Sequence, residues 1–226
     1  MMDIAMQTEN FTDADADADA VREAAEVRVR RAERDGALAP SQRLERVHEL
    51  CRQLAAIWPG DTRWPLMVFD LAGLLRALVE GEVRFVVIGG IAVAAHAAVR
   101  ATEDLDVVPD PDFENLDRLC NVLSGLDATL LLNPQRTLDA EVRAALQRGR
   151  NVTVSTRLGD VDVVQRLPGV PQFAALREDA VDVEIFGVSF HVCSRRHLIE
   201  MKRARGSSLD LADLERLADP PDGGGG

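Results

Sequence analysis

Two aspartates one residue apart carry the strongest chemical signal in this chain of 226 residues. Asp104 and Asp106 lie in the segment DLDVVP, whose alternation of charged and apolar residues predicts a β-strand. Successive side chains of a strand point to opposite faces, so both carboxylates project from one face, with their Cα atoms about 6.6 Å apart. Glu103 points to the other face and is therefore excluded as a metal ligand. Two such carboxylates can hold Mg²⁺, which prefers oxygen ligands and commonly shares them with substrate phosphates.

A pair of glycines precedes these aspartates in the order that a phosphate site requires. The apolar run FVVIGG ends at Gly89 and Gly90, with thirteen residues between Gly90 and Asp104. Glycine has no Cβ, so a ligand can approach the backbone N–H groups closely. A helix of small residues follows, and its positive end favours an anion at the same place. The sequence therefore predicts a site for a phosphorylated ligand and a divalent metal.

The order of strand, glycine pair, helix and acidic strand resembles the nucleotidyltransferase fold of the DNA polymerase β superfamily. The closest resemblance is to its minimal MNT/AbiEii-like branch, whose members are often toxin–antitoxin components, and it covers residues 66–217. It implies an α/β fold, in which a mixed sheet forms the nucleotidyltransferase core and helices flank it. It also implies transfer of a nucleoside monophosphate from an NTP to a hydroxyl of RNA, such as a tRNA 3′ end, or of a protein. Two Mg²⁺ ions would be the cofactors, and an antitoxin could be a partner.

The resemblance also assigns roles to individual residues. Asp104 and Asp106 match the acidic pair of the family, which binds metal. Asp162, in the segment GDVDVV, matches a third carboxylate that helps to hold one metal and accepts the proton of the attacking hydroxyl. Asp160 shares the strand face of Asp162 and is the alternative. The residues assigned to nucleotide binding are Gly89, Gly90, Arg100, Thr102 and Lys202.

The two basic residues of that set, Arg100 and Lys202, differ in how specifically the sequence assigns them to phosphate binding. Arg100 occupies the place of a phosphate-binding arginine, but a positive charge at the end of a helix is also favoured by the helix dipole. Both explanations stay open. Lys202 follows a Leu-Ile pair in HLIEMKRARG, as the lysine of the family does. The sequence departs from the family after Gly206, where Ser207 and Leu209 replace the usual basic residues.

Composition limits the kinds of partner that the chain is expected to bind and the cellular compartment in which it is expected to work. The net charge of −12 argues against general binding to polyanions. Cys51, Cys120 and Cys193 lie far apart and match no metal spacing, so buried thiols in a reducing cytoplasm are expected. The longest apolar run, residues 85–99, falls short of the roughly 20 residues of a membrane span, and no secretory signal is recognised at the N-terminus.

The chain divides into four segments by composition. Residues 1–20 contain the repeat DADADADA and are expected to be a disordered acidic tail, and residues 220–226 a flexible C-terminal tail. Residues 21–60 are expected to form a helical extension and residues 61–219 the nucleotidyltransferase-like domain. An apolar stripe predicts a helix over residues 41–58, which either packs on its own domain or forms a homodimer or docks a partner.

Local patterns predict most of the remaining elements. Helices are expected over residues 69–80, 113–123, 137–148 and 173–179, and strands over residues 85–88, 151–156 and 160–164. Asp112 and Ser194 are expected to cap helices, and Phe186-Gly187 to form the turn of a hairpin.

Two other functions compete with nucleotidyl transfer. A non-catalytic module with the same fold, acting as an antitoxin or another binding protein, is favoured by the helical extension and by the missing basic residues. The complete set of three acids favours the enzyme. A dinucleotide-dependent oxidoreductase is excluded because the chain lacks G-x-G-x-x-G.

Overall fold

The computed structural model shows an α/β protein with one mixed sheet. It describes residues 35, 37–57, 69–97, 99–166 and 169–218. The predicted acidic tail over residues 1–20, nearly all of residues 21–36 and the predicted tail over residues 220–226 lie outside the described residues. Within the described part, eight helices accompany a sheet of eight strands. The predicted fold class is therefore confirmed at the level of an α/β protein with a mixed sheet.

The helices agree with the apolar periodicity in most places. Asp112 and Ser194 are N-caps, as predicted, because their side chains accept from the backbone N–H three residues later. Gly206 ends a helix in the left-handed conformation, which glycine adopts without strain. The helices are α1 (Pro40–Ile57), α2 (Leu71–Glu80), α3 (Gly89–His96), α4 (Phe113–Gly125), α5 (Ala140–Gln147), α6 (Phe173–Glu178), α7 (Arg195–Arg205) and α8 (Ser208–Ala218).

The sheet has the strand order β4-β3-β5-β6-β2-β1-β8-β7. Its strands are β1 (Phe85–Val87), β2 (Asp104–Pro109), β3 (Thr129–Leu130), β4 (Asn133–Thr137), β5 (Val152–Thr156), β6 (Gly159–Val163), β7 (Val181–Ile185) and β8 (Val188–Val192). The pairs β2–β6 and β1–β8 are parallel, and the others are antiparallel. The hairpin predicted around Phe186-Gly187 is confirmed as β7–β8.

The pairing of β2 with β6 sets the position of the acidic residues. Asp104 lies opposite Asp160, and Asp106 lies opposite Asp162. Leu105, between the two aspartates of β2, is fully buried, as are the valines that alternate with the aspartates of β6. The apolar residues therefore face the core, and all four carboxylates project from the opposite face of the sheet.

One part of the sheet differs from the prediction. The helix expected over residues 137–148 begins only at Ala140, after the N-cap Asp139, and Thr137 belongs to β4. The hairpin of β3 and β4 has no alternating apolar pattern, since β4 is largely exposed and contains Pro134. Such a sequence is tolerated because β4 lies at the edge of the sheet, where a missing N–H donor breaks no pairing.

Helix α1 packs on α3 and the segment that follows it. Leu44 and Val47 are fully buried, and Cys51 donates from Sγ to the Thr102 carbonyl at 3.3 Å. The buried guanidinium of Arg43 donates from Nε to the carbonyl of Ala95, near the C-terminal end of α3. The part of the apolar stripe of α1 formed by Leu44, Val47 and Cys51 is thus covered by the chain itself, whereas Leu54 is exposed, and a partner surface over residues 41–58 stays a prediction.

Leu44→Ala should lower the free energy of unfolding by about 2–5 kcal/mol, because it leaves a cavity at a fully buried position of α1. Leu54→Ala on the same helix is the matched control; its side chain is 47% exposed, so an effect within about 0.5 kcal/mol is expected. Urea denaturation followed by circular dichroism measures both. An effect of Leu44→Ala as small as that of the control would show that α1 is not part of the cooperative fold.

Candidate functional site

Three carboxylates converge on one face of β2 and β6. Asp104, Asp106 and Asp162 each offer one oxygen, and these oxygens all lie within 4.8 Å of one another. All three residues are partly buried, and Oδ1 of Asp162 has no hydrogen-bond partner among the described residues. A set of oxygen donors at this spacing suits a hard divalent cation, which would also offset the repulsion between the carboxylates. The three acids predicted from the sequence are therefore brought together, and this cluster could bind a metal ion.

Gly89 fixes the position of Asp106. Its φ of +65° lies in the left-handed region, and a Cβ at this position would lie 1.8 Å from Asp106 Oδ2. The backbone N–H of Ile88 donates to the Asp106 carbonyl at 3.0 Å, which keeps the two segments in contact. The sequence predicts that this glycine makes room for a ligand; the structure shows that it makes room for a carboxylate of the cluster.

Gly90 likewise leaves space for the side chains of two other predicted site residues, Thr102 and Arg100. A Cβ on Gly90 would lie 2.6 Å from Thr102 Oγ1 and 3.1 Å from Arg100 Nη2. The Thr102 hydroxyl also donates to Asp104 Oδ1 at 3.0 Å. The glycine pair, Thr102, Arg100 and the acidic strand thus form one contiguous group around the N-terminal end of α3.

Burial and repulsion between carboxylates raise the pKa values of two members of the cluster, Asp106 and Asp162. Burial raises the pKa of Asp106 to about 7, and the charges of Asp104 and Asp162 act in the same direction. The nearby cations Lys202 and Arg205 oppose this shift. Burial also raises the pKa of Asp162, with a further contribution from Asp104.

Asp160 lies beside the cluster but outside the group of three. Its oxygens are not among those within 4.8 Å of one another, although it pairs with Asp104 across the strands. Burial raises the pKa of Asp160, and a hydrogen bond with Ser155 opposes this, as Thr153 does for Asp162. Thr153 and Ser155 alternate along β5, opposite the two aspartates of β6. These two hydroxyls are site neighbours that the sequence analysis missed; their alternation with apolar residues in NVTVST was the available signal.

The two predicted basic residues are paired with buried carboxylates of α8. Lys202 Nζ lies 3.0 Å from Asp210 Oδ1 and 2.9 Å from Asp213 Oδ2. Arg100 Nη2 donates to Asp213 Oδ2 at 3.1 Å. Asp210 and Asp213 are fully buried, and neither was predicted from the sequence to be a site residue. Their three-residue spacing on an amphipathic helix places both on its buried face, which was the available signal.

Asp210 is ionised in this network. Burial by itself would raise the pKa of Asp210, but hydrogen bonds from Arg205, Ser207 and Lys202 outweigh it and hold the pKa well below its ordinary value. The contacts with Arg205 are at 2.7 and 2.9 Å, so the guanidinium and the carboxylate form a two-point pair.

Comparison with known proteins adds no family. No protein-family model matches the chain, and no curated protein matches it. The geometry of the site is therefore the basis of the functional proposal.

Two further expectations concern the membrane and the thiols. None of the helices in the described residues has the length and apolar character of a membrane span. The three cysteines are free and buried, as expected.

In the absence of metal, the protein should become less stable as the pH rises from about 5 to 8. Folded Asp106 has a pKa of about 7, whereas unfolded aspartate titrates near the ordinary value of 3.8. Between these values the folded state binds more protons than the unfolded state, so the free energy of unfolding falls with rising pH. Asp106→Asn, which stays neutral, should remove much of this slope. Melting temperatures in EDTA across this range measure both proteins.

Glu103→Gln is the matched control, because Glu103 is an exposed carboxylate immediately before the same strand and should leave the slope unchanged. Adding Mg²⁺ at pH 8 should raise the melting temperature of the wild type but not of Asp106→Asn, since a ligand that binds the folded state stabilises it. Identical pH profiles for the wild type and Asp106→Asn would contradict the assignment.

Proposed function

We propose that this protein is a magnesium-dependent nucleotidyltransferase, built on a nucleotidyltransferase core, that moves a nucleoside monophosphate from an NTP to a hydroxyl. The observation that carries the proposal is the convergence of Asp104, Asp106 and Asp162 within 4.8 Å, on two adjacent parallel strands. The glycine pair and the basic residues Arg100 and Lys202 adjoin the same cluster.

The cluster fits magnesium. All its donors are carboxylate oxygens, and one of them, Asp162 Oδ1, is buried without a hydrogen-bond partner in the described part of the chain. Asp104, Asp106 and Asp162 would hold the ions. Mg²⁺, when bound, supplies positive charge that stabilises the phosphate oxygens of the transferring group.

In the reaction, the acceptor hydroxyl oxygen attacks the α-phosphorus of the NTP. A new P–O bond forms as the bond from the α-phosphorus to the bridging oxygen breaks, and pyrophosphate leaves with the electron pair. The hydroxyl proton passes to a carboxylate oxygen of Asp162. In the metal-free site, burial and the neighbouring Asp104 raise the pKa of Asp162.

The N-terminal end of α3 and the basic residues would bind the phosphates of the nucleotide. Arg100 Nη2 lies against Gly90, where the positive end of the helix also favours an anion. Thr102 would hold Asp104 in place through its hydrogen bond. Gly90, Arg100 and Lys202 are thus the proposed phosphate-binding residues, whereas Gly89 and Thr102 would act through the carboxylates of Asp106 and Asp104.

A binding module with the same architecture is the second candidate. It is favoured by one observation: Lys202 and Arg100 already pair with Asp210 and Asp213, which neutralises part of the charge that a triphosphate would use. Such a module would act as an antitoxin or bind another partner without catalysis.

The proposed enzyme would act on RNA, such as a tRNA 3′ end, or on a protein, in the cytoplasm as a toxin–antitoxin component.

Incubation with each of the four NTPs, labelled at the α-phosphate, tests the proposal in the presence of Mg²⁺ and either total RNA or a cell lysate. Label should pass to a macromolecule from the α-position and not from the γ-position. Digestion with ribonuclease or protease then identifies the acceptor class. No transfer with any NTP, from a folded protein, would contradict the enzyme and favour the binding module.

Asp104→Asn and Asp106→Asn should each reduce transfer to background, because each removes a charged oxygen donor from the metal cluster. Asp110→Asn is the matched control, since this aspartate lies just beyond the same strand and pairs with Arg84 instead. Circular dichroism establishes that the variants are folded. Full activity in either cluster variant would refute the metal assignment.

Asp162→Ala should remove nearly all turnover, because it deletes the proposed proton acceptor. Asp160→Ala should cost less than about tenfold, or about 1.4 kcal/mol of barrier, because Asp160 lies outside the close group. Steady-state rates on the acceptor identified above measure the two variants. The reverse ranking would assign the third carboxylate to Asp160.

A further inference from the structure

Arg205 presents an exposed guanidinium at the end of α7. Its Nε donates to Asp210 Oδ2 at 2.7 Å and its Nη2 donates to Oδ1 at 2.9 Å. Asp210 is fully buried, whereas the side chain of Arg205 is 60% exposed. No described residue accepts a hydrogen bond from Nη1. One edge of the guanidinium is therefore held by the protein, and its remaining donors can bind another group.

The guanidinium belongs to an ion-pair network that reaches the N-terminal end of α3. Arg205 follows Lys202 by three residues on α7, which places the two side chains on neighbouring turns of the same helix face. Lys202 pairs with Asp210, the partner of Arg205, and also with Asp213, to which Arg100 donates. Arg100 in turn lies against Gly90 at the N-terminal end of α3. Arg205 is the more exposed of the two cations of α7 that pair with Asp210, since its side chain is 60% exposed and that of Lys202 is 6% exposed.

The turn between α7 and α8 holds this arrangement in place. Gly206 has a φ of +66°, which reverses the chain so that α8 returns Asp210 to the end of α7. The backbone N–H of Ser207 donates to Asp210 Oδ2 at 3.0 Å, and its hydroxyl donates to the same oxygen at 2.6 Å. Asp210 is therefore fixed before any ligand binds, and it fixes Arg205 in turn.

The ion-pair network has an excess of positive charge, which favours binding of an anion. Asp210 and Asp213 carry two negative charges, and their ion-pair partners from other segments, Arg100, Lys202 and Arg205, carry three positive ones. A guanidinium that already donates through one edge can offer its other N–H groups to phosphate oxygens.

We propose that Arg205 contacts the phosphates of the nucleotide and that Asp210 is the residue that positions it. This inference rests on the proposed function and adds a residue to the same site. Because Arg205 is held on a helix by a buried carboxylate, it is ordered before the substrate binds, which lowers the entropy cost of binding.

Pyrophosphate binding in the presence of Mg²⁺, measured by calorimetry, tests the contact without catalysis. Arg205→Met should weaken pyrophosphate binding by about tenfold or more, and Arg205→Lys by less, because lysine keeps the charge but loses the two-point pair. Arg216→Met is the matched control: Arg216 also pairs with a buried aspartate of α8, and its loss should leave the affinity unchanged.

Kinetics with the active NTP separate a phosphate contact from a structural role. Arg205→Met should raise KM by about tenfold with little change in kcat, as expected for a contact made equally in the ground and transition states. Asp210→Asn should also raise KM, and the double variant should show no further rise. Arg205 is exposed, so Arg205→Met decides the question even if Asp210→Asn fails to fold.

The outcomes distinguish this inference from the proposed function. Transfer with an unchanged KM and unchanged pyrophosphate affinity in Arg205→Met would overturn the role of Arg205 and leave the enzyme intact. Pyrophosphate binding that depends on Arg205, in a protein that transfers no nucleotide, would support the contact and overturn the catalytic proposal. Equal losses in Arg205→Met and Arg216→Met would also overturn the inference, because they would show a general effect of charge.

Discussion

The parallel pairing of β2 with β6 is the constraint on which the site depends. Leu105 and the valines of both strands are buried, and their packing fixes the register that sets Asp106 opposite Asp162. A slip of one residue would turn the aspartates of one strand into the core and its apolar residues out to solvent. Such a slip would leave charged carboxylates in an apolar interior, so the burial that stabilises the sheet also protects the geometry of the acidic cluster.

The last helix of the described chain supplies the complementary constraint. Asp210 and Asp213 are fully buried, and each is surrounded by cations from other segments. Loss of these partners would leave an unpaired charge in the interior, which is strongly destabilising. The ion pairs therefore hold α8 to α7 and to the segment before β2. The cluster of acids and the cluster of cations are thus held by different forces, the first by apolar packing and the second by ion pairing.

Local chemistry explains which features the sequence could predict. Strand alternation predicted that Asp104 and Asp106 share a face, and capping preferences predicted the helix starts at Asp112 and Ser194. The pairing of Arg100 with Asp213 could not be predicted in this way, because 113 residues separate them and only the fold brings them together. The strand β4 was missed because it is polar and exposed at the edge of the sheet, where apolar alternation is not required.

The contact between Gly89 and Asp106 affects how genetic data on this site should be interpreted. Any side chain at position 89 would meet the carboxylate of Asp106, and it would also have to adopt a backbone conformation that favours glycine. Loss of function on replacing Gly89 would therefore report displacement of an acidic residue on a neighbouring strand. In a mutational scan, position 89 would behave as part of the acidic cluster and would give no information on how the backbone approaches a nucleotide.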